Sequence, residues 1–332
     1  MAKSRQVTVL GDGGWGTCLA ILLAGRGNQV TLWGAFPDYI AQLQRTHENV
    51  KFLAGVPIPS SIAMTADLPK ALADAQVIVV AVPSLYLRQV LERAKELPWG
   101  AATVVSVVKG IDPKSHLRMS ELIQEVVPVK RLAVLSGPSI SYEVARGVPT
   151  TVVAASQDLV LAKEVQTLCS TDAFRVYTST DVVGVEMGGA LKNVIAIACG
   201  AAEGMGFGTN TKAALVTRGL VEMARLGAAM GAKTETFSGL SGLGDLVTTC
   251  FSPHSRNRRV GEALGKGRSV KEVTQGMEQV AEGIVTAQSA HALSRKHGVE
   301  MPITKAVYEV LHEGRSMKET VRDLMLREPK SE

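Results

Sequence analysis

VTVLGDGGWG, residues Val7 to Gly16, is the stretch that decides the fold. Val7 to Leu10 are strand formers, and they run directly into a glycine-rich turn. A helix of small and apolar residues, Trp15 to Gly25 (WGTCLAILLAG), follows at once. Gly11, Gly13 and Gly16 have the spacing G-x-G-x-x-G, and each has its own reason to be glycine. Gly11 permits the tight turn off the strand, Gly13 lets a ligand come close to the backbone, and Gly16 lets the helix pack on the strand. The first N–H groups of the helix have no partner within it, and the helix dipole adds positive potential there. A pyrophosphate meets that need, so the stretch reads as a dinucleotide-binding turn.

Outward from this turn the same rhythm repeats. Gln29 to Trp33 (QVTLW) reads as a second strand. The acidic residue or the arginine that usually distinguishes NAD from NADP at its end is missing, because the chain continues as Gly34, Ala35 and Phe36. His47 to Ser61 reads as a loop containing Pro and Gly, and a weak strand is expected at Ile62 to Thr65. Val77 to Val82 and Thr103 to Val108 are unbroken apolar strands, the pattern of a sheet covered on both faces. Further strands are expected at Leu132 to Leu135, Thr150 to Ala154 and Phe174 to Tyr177, with helices between them. After Ser179 the rhythm changes to helices alone, at 182–202, 211–230, 256–265, 282–296, 303–313 and 316–326. The fold expected is α/β: an N-terminal, mostly parallel Rossmann-type sheet over residues 1–179, then an all-helical domain over 180–332.

Composition narrows the class. A chain of 332 residues has room for two domains. The net charge is +5, but acidic and basic residues are interspersed, with no basic arm and no basic-aromatic interleaving. Nucleic acid is therefore not expected, and small anions are. MAKSRQ runs straight into the first strand, so no signal peptide is read, and no uninterrupted apolar run approaches the ~18 residues of a membrane span. Cys18, Cys169, Cys199 and Cys250 form no C-x-x-C, and the six histidines show no ligand spacing. Reduced thiols in the cytoplasm and the absence of a metal site are expected.

Three segments could carry chemistry. Lys109 ends a strand, where ligands of such sheets bind, although alone it reads as a solvated loop lysine. Lys192 lies in GGALKNVIAIACG, a helix otherwise of glycine, alanine and aliphatics. A charge there must be paired or face a polar cavity. It reads equally as an acid/base lysine, its pKa lowered by burial or a second cation, or as a snorkelling one. Gly188 and Gly189 remove bulk beside it. SGLSGLGDL (238–246) looks like a segment over which a backbone or ligand packs, and its Asp245 could orient a lysine. In SRNRR (255–259), Ser255 is a natural N-cap, which puts Arg256 and Asn257 in the first turn. Cations in a first turn oppose the helix dipole. A bound anion would resolve the conflict, a solvated basic face is the plain alternative, and a nucleic-acid patch is the outside option.

Together these segments resemble the bacterial-type NAD(P)-dependent glycerol-3-phosphate dehydrogenases, nearly end to end. The motifs that carry the resemblance are GDGGWGT (11–17), VVKG (107–110), SGPS (136–139), GGALKNVIAIACG (188–200), GLGDL (242–246), SRNRR (255–259), QVAEG (279–283) and GVEMPI (298–303). The resemblance implies interconversion of dihydroxyacetone phosphate and sn-glycerol 3-phosphate, feeding phospholipid synthesis, by an enzyme often paired as a homodimer. It makes Lys192 the proton donor and acceptor and gives Lys109 to substrate and cofactor. Gly137, Ser139, Asp245, Ser255, Arg256 and Asn257 match substrate positions, Arg256 also reaching the cofactor. Gly14, Trp15, Ser141, Val280 and Glu282 match positions that hold NAD or NADP. Ala35 and Phe36 stand where many members carry Arg or His, so discrimination against NAD is expected to be weak. Ser141 replaces a commoner alanine. The residues also leave room for a dehydrogenase of a small hydroxy acid, against which SRNRR argues, and for a nicotinamide-sensing protein without catalysis, which would not need Lys192.

Overall fold

A strand that is apolar at every position needs cover on both faces, and Val77 to Val80 receives it. Val77 and Val79 pack with Leu19 and Leu23 on one side of the sheet, while Ile78 and Val80 pack with Leu87 and Leu91 on the other. Successive side chains of a strand point to opposite faces, so one apolar run serves two cores. The structure, a computed structural model, describes residues 4–99, 101–275 and 281–328. Eight strands form one sheet: β1 (Gln6–Leu10), β2 (Gln29–Trp33), β3 (Ala63–Thr65), β4 (Val77–Val80), β5 (Thr103–Ser106), β6 (Arg131–Ser136), β7 (Thr150–Ala155) and β8 (Phe174–Ser179). Their order is β3-β2-β1-β4-β5-β6-β7-β8. Neighbours run parallel except β6 and β7, which pair antiparallel with Leu135 opposite Ala154.

The chain leaves β1 toward β2 and β3, then returns to lay β4 on the other side of β1. The carboxyl ends of β1 and β4 therefore flank the crevice where sheets of this kind take ligands. Gly11 leaves β1 there and donates its N–H to Trp33 O at 2.9 Å. Ala81 leaves β4 beside it and donates to Leu10 O at 2.8 Å.

The chain divides into two compact units. The first contains the sheet and comprises the chain through Lys109 together with Leu117–Glu186. The second comprises Gly110–His116 and the chain from Met187 onward. This division falls beyond Ser179, inside the helix Val182–Gly204. Among the described residues no strand follows Ser179.

The fold class is the one the sequence indicates, and the differences are short elements. Helix Val50–Leu53 occupies a stretch read as loop, and helix Ser141–Ala145 one given no element of its own. Runs of four and five residues are too short for a 3.6-residue period to register. In the second unit Thr234–Phe237, a π-helical turn at Leu240–Gly244, Asp245–Phe251 and Val270–Gln275 also go beyond the helices expected. The glycines at 239, 242 and 244 disguise the middle two.

Helix Val182–Gly204 organises the second unit. Its length and composition would let it cross a membrane, a property hidden by its charged residues when only uninterrupted runs are sought. Yet 83% of its most apolar window is buried inside the protein, as befits a core helix. Four glycines set its crossing with helix Arg256–Gly265. A Cβ on Gly200 would lie 1.9 Å from Arg258 O, and one on Gly204 would lie 2.2 Å from Glu262 O. From the other side, a Cβ on Gly261 would lie 2.0 Å from Ile197 O, and one on Gly265 would lie 2.2 Å from Ala201 O. Around this crossing Val194, Ile197, Val260, Leu264, Ala287, Val307 and Leu311 form the core.

Backbone cannot yield as a side chain does, so Gly261→Ala should cost about 2 kcal/mol of folding stability or more. Gly25→Ala is the matched control. A Cβ there meets nothing within 4 Å, and the change should be neutral or stabilising by about 0.5–1 kcal/mol. Urea unfolding of both variants measures the contrast.

Candidate functional site

Each unit carries a cluster of candidate residues. In the first, the three glycines of the turn differ in their surroundings. Gly11 has φ +117, and a Cβ on it would lie 2.7 Å from Ala81 O. A Cβ on Gly16 would lie 1.9 Å from Gly11 O, so helix Gly14–Gly25 sits as close to the end of β1 as backbone permits. Gly13, the N-cap of that helix, is the opposite case: a Cβ there meets nothing within 4 Å. The two outer glycines are packed against protein, and the middle one faces open space at a helix N-terminus. That is the cradle a pyrophosphate requires. A Cβ on Gly14 would lie 2.5 Å from Phe52 O, so helix Val50–Leu53 packs over the turn.

Asn49 fastens that helix to the turn, and sequence reasoning missed it. Its Nδ2 donates to Asp12 O at 2.8 Å and to Thr17 Oγ1 at 2.7 Å. Its Oδ1 accepts from Tyr39 Oη at 2.6 Å and from the Phe52 N–H at 3.1 Å. The available signal was an N-cap asparagine ahead of Val-Lys-Phe-Leu.

The remaining residues of this unit fall into four places. Trp15 is half-buried, its ring centroid 6.3 Å from that of Phe174 and its buried Nε1 without a hydrogen-bond partner in the protein. Phe36 is the N-cap residue of helix Pro37–Thr46 and is 71% exposed. Lys109 lies just past β5. Its Nζ donates to Gly137 O at 2.8 Å and to Ser139 Oγ at 3.1 Å, and Ser139 Oγ donates to Gly137 O at 2.9 Å. Gly137 has φ +135, and a Cβ on it would lie 3.0 Å from Val152 Cα, which accounts for the glycine. Ser141 Oγ is 3.7 Å from where a Cβ on Gly14 would be.

In the second unit Lys192 is buried on helix Val182–Gly204. Its Nζ donates to Asp245 Oδ1 at 2.5 Å and to Thr249 Oγ1 at 2.8 Å. Thr249 Oγ1 in turn donates to Asp245 O at 2.6 Å. Lys192 is 5% exposed and Asp245 is 1% exposed, so a lysine that could have snorkelled to water is instead held inside by a carboxylate. Where a second cation was considered from the sequence, this partner is an anion. The glycine beside it also has a definite role: a Cβ on Gly188 would lie 2.4 Å from Ser241 O. What comes close at Gly188 is the backbone of the SGLSGLGDL segment, whose π-helical turn presents Asp245. Beside the lysine, Cys250 hydrogen-bonds to Cys199. That bond, burial and the neighbouring thiol push Cys250 well above the usual thiol range, against the pull of Lys192 and Lys212.

The SRNRR segment divides its labour. Ser255 caps its helix by accepting from the Arg258 N–H at 3.2 Å. Asn257 is buried, donating to Asn193 Oδ1 at 2.8 Å and accepting from the Gly283 N–H at 2.9 Å. It therefore links the residue after Lys192 to the first turn of helix Glu282–Lys296. Arg258 pairs with Glu203, Nη2 to Oε1 at 2.8 Å. Burial pushes the Arg256 guanidinium below its usual range, with the Glu282 carboxylate pulling the other way and Arg259 adding to the depression. Val280 lies outside the described residues. No group of three or more His, Cys, Asp or Glu side chains placed to hold a metal occurs among the described residues.

With this geometry in hand, the chain can be set beside known proteins. Residues 6–162 match the family described as the NAD-dependent glycerol-3-phosphate dehydrogenase N-terminus, and residues 181–322 match the corresponding C-terminus. The chain is 50% identical over 330 residues to a glycerol-3-phosphate dehydrogenase (NAD(P)+) of Chlorobium phaeobacteroides, covering 98% of this chain and 99% of that protein. It is 48% identical over 326 residues to the protein of the same name from Bacillus pumilus, covering 97% of this chain and 94% of that one. Among solved structures, the glycerol-3-phosphate dehydrogenase of Coxiella burnetii superposes with a TM-score of 0.94 at 38% identity, covering 98% and 99% of the two chains.

The four bonds of Asn49 yield a prediction about the turn. Asn49→Ala leaves several buried polar groups without partners, each worth about 1–3 kcal/mol. We expect a loss of at least about 2 kcal/mol in urea unfolding. Asn49→Asp, which can still accept both bonds but cannot donate, should fall between this variant and the wild type.

Proposed function

The chain belongs to the NAD-dependent glycerol-3-phosphate dehydrogenase family, and from that premise we propose that Lys192 is its proton donor and acceptor. The enzyme is an NAD(P)-dependent oxidoreductase that interconverts dihydroxyacetone phosphate and sn-glycerol 3-phosphate. Membership removes the two other readings, a hydroxy-acid dehydrogenase and a non-catalytic sensor. The observation that carries the role of Lys192 is its burial on an apolar helix with Nζ fixed between Asp245 and Thr249.

The bound dinucleotide supplies the hydride in reduction and accepts it in oxidation. As the ketone carbon is reduced, negative charge grows on its oxygen. An ammonium within hydrogen-bond reach stabilises that charge and delivers the proton. Asp245 and Thr249 orient Nζ for this transfer, so the donor need not be ordered during the reaction. In the oxidative direction neutral Lys192 removes the hydroxyl proton. Ser255, Arg256 and Asn257 serve the substrate phosphate, with Asn257 also holding Asn193 and Gly283 in register. Lys109, Gly137 and Ser139 serve the substrate, Lys109 also meeting the cofactor. Gly11, Gly13, Gly14, Trp15, Gly16, Phe36, Ser141, Arg256, Val280 and Glu282 would hold the dinucleotide. The open space at Gly13 is the feature that suits it. In this reading residues 1–179 bind the dinucleotide and residues 180–332 bind the substrate. The enzyme works as a homodimer in the cytoplasm, supplies phospholipid synthesis and uses no metal. Four buried cysteines, none in a disulfide, suit a reducing compartment.

Two experiments test the assignment, both following absorbance of the reduced nicotinamide with dihydroxyacetone phosphate. Lys192→Ala removes the proton source and the charge facing the developing alkoxide. General-acid loss costs ~10²–10⁴ in rate and loss of an electrostatic donor ~10²–10³, and overlapping effects do not multiply. We expect kcat to fall at least about a thousandfold with dinucleotide affinity unchanged, and Lys192→Arg not to restore it, since a guanidinium keeps its proton. A folded Lys192→Ala enzyme with a tenth of the wild-type turnover would refute the role. Gly13→Val, whose side chain enters open space, should fold normally yet lose dinucleotide binding. Unchanged affinity in that variant would sink the assignment of the turn.

A further inference from the structure

In folds of this kind a carboxylate at the end of the second strand accepts from the adenosine ribose 2′-hydroxyl, and a nearby arginine meets the 2′-phosphate of NADP. Here β2 ends at Trp33. The chain continues through Gly34, whose N–H donates to Thr65 O at 3.1 Å, and through Ala35 and the exposed Phe36. Neither an acid nor a base stands at that end of the strand.

A carboxylate reaches the place by another route. Asp12 follows Gly11 in the glycine turn, and Asn49 anchors its main-chain oxygen. A Cβ on Gly34 would lie 2.3 Å from Asp12 Oδ2 and 2.5 Å from Asp12 Cγ. The Asp12 carboxyl thus fills the volume into which a side chain at position 34 would start. Its Oδ2 is buried and has no hydrogen-bond partner in the protein, while the residue as a whole is half-buried and can be met by a ligand. A buried carboxylate oxygen with no donor is costly to keep. Burial raises the Asp12 carboxyl above its usual range, against its own backbone N–H and the charge of Lys51.

Resting on the dinucleotide reading above, we propose that Asp12 replaces the missing acid of β2. From the glycine turn it accepts from the adenosine ribose 2′-hydroxyl and repels a 2′-phosphate, so the enzyme takes NAD(H) in preference to NADP(H). The half-buried Asp12 carboxyl, set at the end of β2 beside Gly34, is the acceptor offered to a ribose hydroxyl. A side chain at position 34 would meet the Asp12 carboxyl and the Ile40 side chain, so glycine there leaves the carboxyl its place. Position 34 and position 12 act as one unit, with the acid moved from the strand to the turn. Lys51 is the competing reader. Its ammonium lies 5.3 Å from the centroid of the Phe52 ring and attracts the Asp12 carboxylate. With Asp12 in place that charge is offset, and without Asp12 its attraction favours a 2′-phosphate. This sharpens the weak discrimination expected from Ala35 and Phe36 into a preference for NAD(H).

The test is direct binding of NADH and of NADPH to the full-length protein by titration calorimetry, with circular dichroism to confirm folding. A hydrogen bond to a charged group, lost together with a repulsion gained, corresponds to about tenfold or more in affinity. The wild type should therefore bind NADH at least about tenfold tighter than NADPH. Asp12→Asn keeps an acceptor but loses the charge, and should strengthen NADPH while sparing NADH. Asp12→Ala should weaken NADH and strengthen NADPH, shrinking the ratio to near unity or reversing it. Lys51→Ala, at an exposed position, should widen the ratio and carries the test if the Asp12 variants fold poorly. A wild type that prefers NADPH overturns the proposal, as does an unchanged ratio in folded variants. Failure of the wild type to bind either dinucleotide would instead bring down the cofactor assignment of the turn, and this inference with it.

Discussion

Two stretches of backbone approach each other at the end of β1 as closely as atoms allow. A Cβ on Gly16 would lie 1.9 Å from Gly11 O, so the first helix can start only where it does, directly off the strand. That constraint aims the unpaired N–H groups of the helix at the crevice between β1 and β4. It leaves Gly13 over open space and places the Asp12 carboxyl against Gly34. The buried Asn49 then closes the arrangement by bonding to Asp12 O, Thr17 Oγ1 and the Phe52 N–H. The turn, the roof over it and the place of Asp12 beside Gly34 are all built on one contact between strand and helix.

The second unit repeats the principle with a different purpose. Glycines at 200, 204, 261 and 265 let two helices meet backbone to backbone, and Gly188 admits the backbone at Ser241. The first approach brings Asn257 to Asn193, and the second brings Asp245 to Lys192. A buried ion pair is a poor stabiliser, because desolvation consumes most of the Coulomb attraction. Its presence on an otherwise apolar helix fits the proposal that Lys192 carries the proton. The acidic residues of the helix are paired as well. Glu186 meets Arg118 and Ser120, and Glu203 meets Arg258 and Lys212.

Periodicity and composition made the large elements legible. Strands such as Val77–Val80 and helices such as Arg256–Gly265 announce themselves because their residue pattern matches the period of the element. The G-x-G-x-x-G spacing pointed to a dinucleotide, since each glycine answers a purely local steric demand. Lys192 stood out for the same reason, as a charge among aliphatics. What stayed hidden was short or distant in the chain. Helix Val50–Leu53 has no full period, and it depends on Asn49 bonding back to residues 12 and 17.

The sequence by itself determined that strands alternate with helices up to Ser179, that helical patterns follow, that a G-x-G-x-x-G turn leads from the first strand into a helix, and that a lysine sits where lysines rarely do. Each of these follows from residues adjacent in the chain. Only the tertiary structure decided which carboxylate meets Lys192, what comes close at Gly188, and that the Asp12 carboxyl lies against Gly34 at the end of β2. Those pairings join residues 53, 53 and 22 positions apart along the chain. Spacing along a chain says nothing about which distant side chains a packed backbone brings together.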